Sequence, residues 1–314
     1  MSKARGADEA TWLEVAERCP YATFFHTPHW ARIAEAAQPG TRDASLIVEG
    51  AAGPVVWPLV ELGGSRRPGR TLISTFAGCY GGPIAADGSA DLEAMVAALG
   101  IGGMSRLDAW WNPFAPPYAH TSATVREDAT HVLDLDPAAP AVEARFDRGP
   151  RGWVGRARRE GVTVTQSTDW KAYEELYRES LQHWGDSASA IHPPELFEAL
   201  RELAGREPEL VRLWIAGHEG HALAATIVFY WGEHAVSWQT ARAHGRPHLG
   251  SGPLLVAEVA ADAASRGFKV LDLNPSGGHE STADYKRSLG ARELPAPTLT
   301  WRGSLLRHVR RGNA

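Results

Sequence analysis

The sequence predicts an α/β (α+β) protein of two tandem lobes, each a mixed sheet flanked by helices. Three observations predict it. The order helix, helix, three strands, helix, strand occurs twice along the chain without sequence identity between the copies, the mark of an internal structural duplication. In each copy a helix separates the third strand from the fourth, which gives the crossover that parallel strands need. The pattern breaks once, at "DPAAP" and "RGP" within residues 137–150, so the lobes are expected at 1–140 and 141–314.

The elements follow in order. "EATWLEVAERC" and "PHWARIAEAA" have helical spacing, with Thr27 as N-cap of the second and Pro28 at its first position. "ASLIVEG", "GPVVWPLVEL" and "TLISTF" read as strands, and the glycine turn "GCYGGP" follows. "ADLEAMVAALG" is a helix, and "SRLDAWW" is a strand stopped by Asn112-Pro113. "THVLDLD" is a strand, and "PAAPAVEARF" and "RGWVGRARREG" are helical. After the strand "VTVTQ" come two helices, "DWKAYEELYRESLQHW" and "PPELFEALRELAG". "ELVRLWIAG", "HALAATIVFYW" and "EHAVSWQTAR" should pair as a meander. "GPLLVAEVAADAASRG" is a long amphipathic helix, "FKVLDL" a buried strand, "STADYKRSLG" a short helix and "PTLTW" a last strand.

Apolar residues make up 44% of the 314 and charged residues 22%, the profile of a soluble globular protein. No run of eighteen apolar residues exists, so no membrane span is expected. The N-terminal segment has no apolar core of the signal-peptide kind, and a cytoplasmic location is the expectation. Cys19 and Cys79 fit no metal or redox spacing and read as packing residues. A net charge of −5 argues against broad nucleic-acid binding. Two basic stretches, "RFDRGPRGWVGRARR" and the tail "RGSLLRHVRRGNA", are either local phosphate contacts or solvated surface. No feature specifies an oligomeric state.

Gly250, Ser251 and Gly252 stand where the long helix begins, and amides at a helix start favour an anion such as a donor phosphate. The alternative is a glycine turn that redirects the chain. Tyr285 and Lys286 lie one short helix after the buried strand. The lysine is either a surface charge or a cation that stabilises an oxyanion beside splayed strands. His26/His29 and His218/His221 lack partners for a metal set, so no metal is expected. "LGSGP" falls one residue short of a nucleophile elbow, which argues against a hydrolase.

Taken in order, "FFHTPHWARI", "YGGPIAADG", "LDAWWNPF", "THVLDLD", "RGWVGRARREGVTV", "LGSGPLLVAEVAADAASRGFKVLDL" and "GGHESTADYKRSLGAR" resemble the Fem family. These are aminoacyltransferases of peptidoglycan cross-bridges, within the GCN5-related N-acyltransferase superfamily. The resemblance implies twin acetyltransferase-like lobes, the second carrying the donor site. It also implies transfer of an aminoacyl group from aminoacyl-tRNA to an amine, with no resident cofactor. In the family, an aromatic–lysine pair places the lysine near the reacting carbonyl, which makes Lys286 and Tyr285 the catalytic candidates. Arg156 and Arg159 match a basic segment near the cleft and are candidates for donor phosphates; Trp30 and Arg32 match a stretch near the acceptor. Gly82 stands where the family often has arginine, which weakens a nucleotide-linked acceptor. Pro247 stands where acetyl-CoA enzymes often carry glutamine or arginine, which weakens CoA. Two alternatives stand beside the tRNA reading: an acyl-CoA-dependent N-acyltransferase, and a non-catalytic binding module in polysaccharide or cell-envelope assembly. For the attacking amine, Tyr285, Asp284 or a substrate carboxylate are the candidate bases.

Overall fold

The computed structural model describes residues 4–63, 69–77, 79–99, 104–118, 122–138, 141–185 and 191–303. The chain forms two compact units. One comprises Met1–Ala129, Pro193–Ala199 and Pro295–Ala314, the other Thr130–His192 and Leu200–Leu294.

The first unit opens with β1 (Arg5–Gly6), α1 (Glu9–Arg18) and α2 (Pro28–Ala37). Asp8 caps α1 by accepting from the Thr11 amide at 3.0 Å. Thr27 holds the N-cap position of α2, yet its hydroxyl donates to the Phe24 carbonyl at 2.7 Å. Pro28 takes the first helical position, where no N–H is required. Then come β2 (Arg42–Asp43), β3 (Leu46–Gly50), β4 (Gly53–Trp57), β5 (Val60–Glu61), β6 (Arg70–Ile73) and β7 (Ile84–Ala85). α3 (Leu92–Leu99), β8 (Met104–Trp110) and β9 (Thr124–Arg126) complete the run. The stretch "GPVVWPLVEL" is therefore two strands, not one. Pro58 offers no N–H to a ladder, and β4 and β5 pair in different sheets. β4 belongs to the four-stranded order β1-β3-β4-β7. β5 joins β2, β6, β8 and β9 in a six-stranded sheet, where β6 and β8 run parallel as the crossover requires.

The second unit holds β10 (Ala129–Asp134), α4 (Arg148–Arg159), β11 (Thr163–Ser167), α5 (Trp170–Trp184) and the later half of α6 (Pro194–Arg206). It continues through β12 (Val211–His218), β13 (His221–Trp231), β14 (His234–Arg242), α7 (Ser251–Ser265), β15 (Val270–Pro275), α8 (Glu280–Ser288) and β16 (Arg292–Pro295). The last strand, β17 (Thr298–Arg302), pairs between β8 and β9 in the first unit's sheet. Thus β10, which precedes the break in sequence pattern, sits in the second unit's sheet, and the C-terminal strand returns to the first. The expected helix "PAAPAVEARF" is a single 3₁₀ turn, Val142–Arg145, because two prolines fall in its first four residues. The C-terminal basic run lies, from residue 304 onward, outside the described residues.

The second unit's sheet has the order β11-β12-β13-β14-β15-β10-β16. β12, β13 and β14 form the expected antiparallel meander, and β15 lies parallel to β14. α7 buries Leu254, Leu255, Val259 and Ala263 in a core with Ala216, Ala224 and Val228 of the meander. Full burial of one such leucine or valine contributes about 1.5–3 kcal/mol. That anchorage fixes where the first turn of α7 stands relative to the sheet.

Candidate functional site

The site begins where two parallel strands part. β14 and β15 pair over His234↔Val270, Ala235↔Leu271 and Val236↔Asp272 only. β14 runs on to Arg242 and β15 to Pro275, so the sheet opens between them. On one side, a register shift against β13 sets Ile227 opposite Gln239 but Val228 opposite Ser237, leaving Trp238 as the extra residue of a bulge. Bulges re-aim a strand next to functional sites. On the other side, Asn274 adopts a left-handed backbone (φ 64°) and donates its Nδ2 to the Trp238 carbonyl at 2.9 Å, across the opening. Asp272, fully buried, accepts from the Thr130 hydroxyl at 2.6 Å and the Asn274 amide at 2.8 Å. α7 follows β14, so its first turn lies at this same edge of the sheet.

Lys286 is not a solvated charge. It is 8% exposed, and its Nζ donates to the carbonyls of Asn274 (2.7 Å) and Pro275 (3.1 Å), the last two residues of β15. Burial drives this pairing, because an ammonium removed from water needs acceptors. His131, 2% exposed and placed at a register shift in β10, stays neutral: burial first, and then the Lys286 charge, hold its imidazole below its ordinary value.

Tyr285, the preceding residue on α8, reaches the other way. A Cβ built on Gly252 would lie 3.3 Å from the Tyr285 hydroxyl, so glycine is what lets the phenol rest on the first turn of α7. Tyr285 as a whole is 39% exposed, but its hydroxyl end lies against the first turn of α7, and desolvation there pushes the phenol pKa upward against a smaller opposing pull from Arg242. A hydroxyl that stays protonated at neutral pH is placed to donate a hydrogen bond, the role that leaves Asp284 or a substrate carboxylate as the other candidate bases. α8 thus joins the first turn of α7, through Tyr285, to the end of β15, through Lys286.

The anion cradle expected at Gly250, Ser251 and Gly252 is narrower than the sequence implies. The Gly250 amide donates to Nδ1 of His248 at 3.1 Å and the Ser251 amide to its carbonyl at 2.8 Å. Pro253 has no N–H, so the Gly252 amide is what the first turn presents. Gly250 (φ 81°) is itself a packing glycine: a Cβ there would fall 2.3 Å from the Trp153 carbonyl. Through Trp153, α4 is brought to this turn. The Trp153 ring meets His248 edge-on at 4.7 Å, and Arg156 sits over it at 5.4 Å while pairing with Glu160 at 3.6 Å. Arg159 stays on α4, its Nη1 3.4 Å from where a Gly155 Cβ would be.

Trp30 and Arg32, the acceptor candidates, are a core side chain and a paired surface charge. Trp30 is 2% exposed within a cluster of Phe24, Phe25 and Phe76, and its indole donates to the Thr75 hydroxyl at 3.2 Å. Arg32 is exposed and paired with Glu9. Sequence reading missed Asn274, Trp238, Asp272 and Thr130. Asn274 alone left a signal, as asparagine is among the non-glycine residues enriched at left-handed positions. Among the described residues, no group of three or more histidine, cysteine or acidic side chains could hold a metal ion.

Residues 151–287, from α4 to α8, match the family described as acetyltransferase (GNAT) domain. The parted strands and the helix turn beside them both lie within this stretch, so residues 151–287 form a GNAT-type domain. Over its whole length the chain is similar in fold to FemX. The crystal structure of FemX superposes with a TM-score of 0.71 at 10% identity, over 98% of each chain. L-PGS from Bacillus licheniformis gives 0.57 at 11% identity, covering 99% of this chain and 95% of that one. A tandem GNAT protein from the clavulanic acid biosynthesis pathway gives 0.54 at 14% identity, covering 96% and 98%. These neighbours bear out the expected architecture of two GNAT-like lobes. No curated protein matches the chain in sequence. No helix among the described residues is long and apolar enough to cross a membrane.

Proposed function

We propose that the chain forms amides by moving an aminoacyl group from aminoacyl-tRNA to an amine acceptor. The observation that carries the reading is the placement on α8 of two adjacent side chains, a protonated phenol at the first turn of α7 and a buried ammonium at the end of β15. The acceptor nitrogen attacks the ester carbonyl carbon, a C–N bond forms, and the tetrahedral oxyanion collapses with loss of the ribose oxygen. The Lys286 charge stabilises the oxyanion through the low dielectric around it, an effect worth about 3–4 kcal/mol for one donor. The Tyr285 hydroxyl hydrogen-bonds the leaving oxygen, which ends with the proton the amine gives up. Aminolysis of an activated ester is downhill, so alignment supplies much of the remaining acceleration. The donor is a co-substrate, and the reaction is written without a resident cofactor. Support for tRNA comes from the fold shared with FemX and from the arginine-rich α4 beside the turn.

A second reading, an acyl-CoA-dependent N-acyltransferase, is favoured by the GNAT domain match and by the tandem GNAT neighbour. The third, a non-catalytic binding module, predicts no acyl loss from any donor. The test is incubation with charged tRNA pools and with a panel of acyl-CoAs, reading by mass spectrometry which donor loses its acyl group. A salt series adds weight, because binding through several tRNA phosphates weakens steeply with ionic strength. Flat salt dependence, with acyl loss from CoA, would overturn the tRNA reading.

A further inference from the structure

Asn274 is held in the opening by three hydrogen bonds, and its Oδ1 takes part in none of them. Its backbone amide donates to Asp272, its carbonyl accepts from Lys286, and its Nδ2 donates to the Trp238 carbonyl. Its Oδ1 is buried and has no hydrogen-bond partner, in a residue 9% exposed. The carboxamide cannot be turned over, since that would set Oδ1 against the Trp238 carbonyl oxygen. A buried acceptor left unmatched is costly, so a side chain at this position is retained against a standing penalty. Glycine would take the left-handed backbone more easily and carry no unmatched Oδ1, at the loss of the Nδ2 bond to Trp238.

We propose that Oδ1 of Asn274 is a substrate-binding acceptor that takes a hydrogen bond from a substrate N–H in the opening between β14 and β15. The assignment rests on the acyltransferase reading for its purpose, but not for its geometry. A neutral carbonyl oxygen suits this chemistry. It orients an N–H without holding a proton, whereas a carboxylate would trap an amine as the unreactive ammonium. The N–H has two sources: the attacking amine, whose lone pair would then face the acyl carbon, or an amide in the arm of a thioester donor.

The chain has three asparagines, Asn112, Asn274 and Asn313, so labelling with [15N]asparagine gives three side-chain NH2 pairs. The Asn274 pair is the one lost in Asn274→Gly, a variant that keeps the left-handed backbone. Three probes separate the sources: glycinamide (an amine), acetyl-CoA (a thioester with amides in its arm) and S-phenyl thioacetate (a thioester with no N–H). The pair should shift with glycinamide or with acetyl-CoA, naming the source, and stay put with S-phenyl thioacetate. In turnover assays Asn274→Gly should raise KM for the same source about five- to tenfold, the worth of one neutral hydrogen bond. An Asn274 pair unmoved by all three probes, or moved equally by S-phenyl thioacetate, overturns the proposal. A pair that shifts in a protein that strips no donor of its acyl group leaves this subsite standing and removes the transferase reading.

Discussion

Replacing Lys286 by methionine separates two jobs that the structure gives to one ammonium. The side chain keeps its length and apolar stem, but the carbonyls of Asn274 and Pro275 lose their donor. A hydrogen bond to a charged group contributes about 1.5–3 kcal/mol net, and two are removed. Relief of the buried charge offsets part of that loss, so a net destabilisation near the lower end, about 3 kcal/mol, is expected. For a domain of 150–250 residues, each kcal/mol lowers Tm by about 2–4 °C. The fall should therefore be about 6–12 °C, read by calorimetry or by chemical denaturation with an unchanged m-value. Turnover measured well below the variant's Tm should drop a further hundred- to thousandfold, the cost of one lost oxyanion donor. Lys286→Arg, which keeps the charge, should recover stability better than turnover, because guanidinium geometry does not place the cation at the same point. A Lys286→Met protein that melts with the wild type would refute the anchoring role. One that turns over within threefold of wild type would remove the ammonium from the chemistry.

Other expectations are independent of that one. Gly250→Ala combines a left-handed backbone with a Cβ 2.3 Å from the Trp153 carbonyl and should cost about 2–4 kcal/mol in urea denaturation. Gly252→Ala meets only the Tyr285 hydroxyl at 3.3 Å and should melt within a few degrees of wild type while slowing transfer. Tyr285→Phe should melt normally and transfer about a hundredfold more slowly if the hydroxyl serves the leaving group. Since burial raises the phenol's pKa, the wild-type rate should show no alkaline loss below the ordinary tyrosine value. His192, buried against Trp238, has its imidazole pushed from 6.5 down to about 4 by desolvation. The unfolded chain therefore takes up the proton first, and stability should fall as pH drops through that window, by up to about 1.4 kcal/mol per unit. His192→Phe should flatten the slope measured between pH 6.5 and 4.

The sequence by itself determined most of the second unit's element plan and the pairing sense of its strands. Strand and helix periods are local properties of which residues must face a core, and a helix between two strands forces a parallel return. They are the reason the meander, the crossover of β14 to β15, and the pair Tyr285–Lys286 at a sheet edge were legible in a chain read once. Proline chemistry was legible too, but its consequence was not: Pro58 breaks a run that reads as continuous, and only pairing reveals that the halves serve different sheets. Long-range partnership was what the tertiary structure decided. Nothing local tells Trp30 from an exposed tryptophan of a ligand site; the packing of Phe24, Phe25 and Phe76 around it does. His248 takes the amides of Gly250 and Ser251, which no glycine spacing foretells. Asn274 reaches Trp238 across 36 positions of sequence, and Lys286 reaches back to the strand end. Where a polar atom finds its partner depends on which segments the burial of apolar faces has already brought together, and that information exists only once the chain is folded.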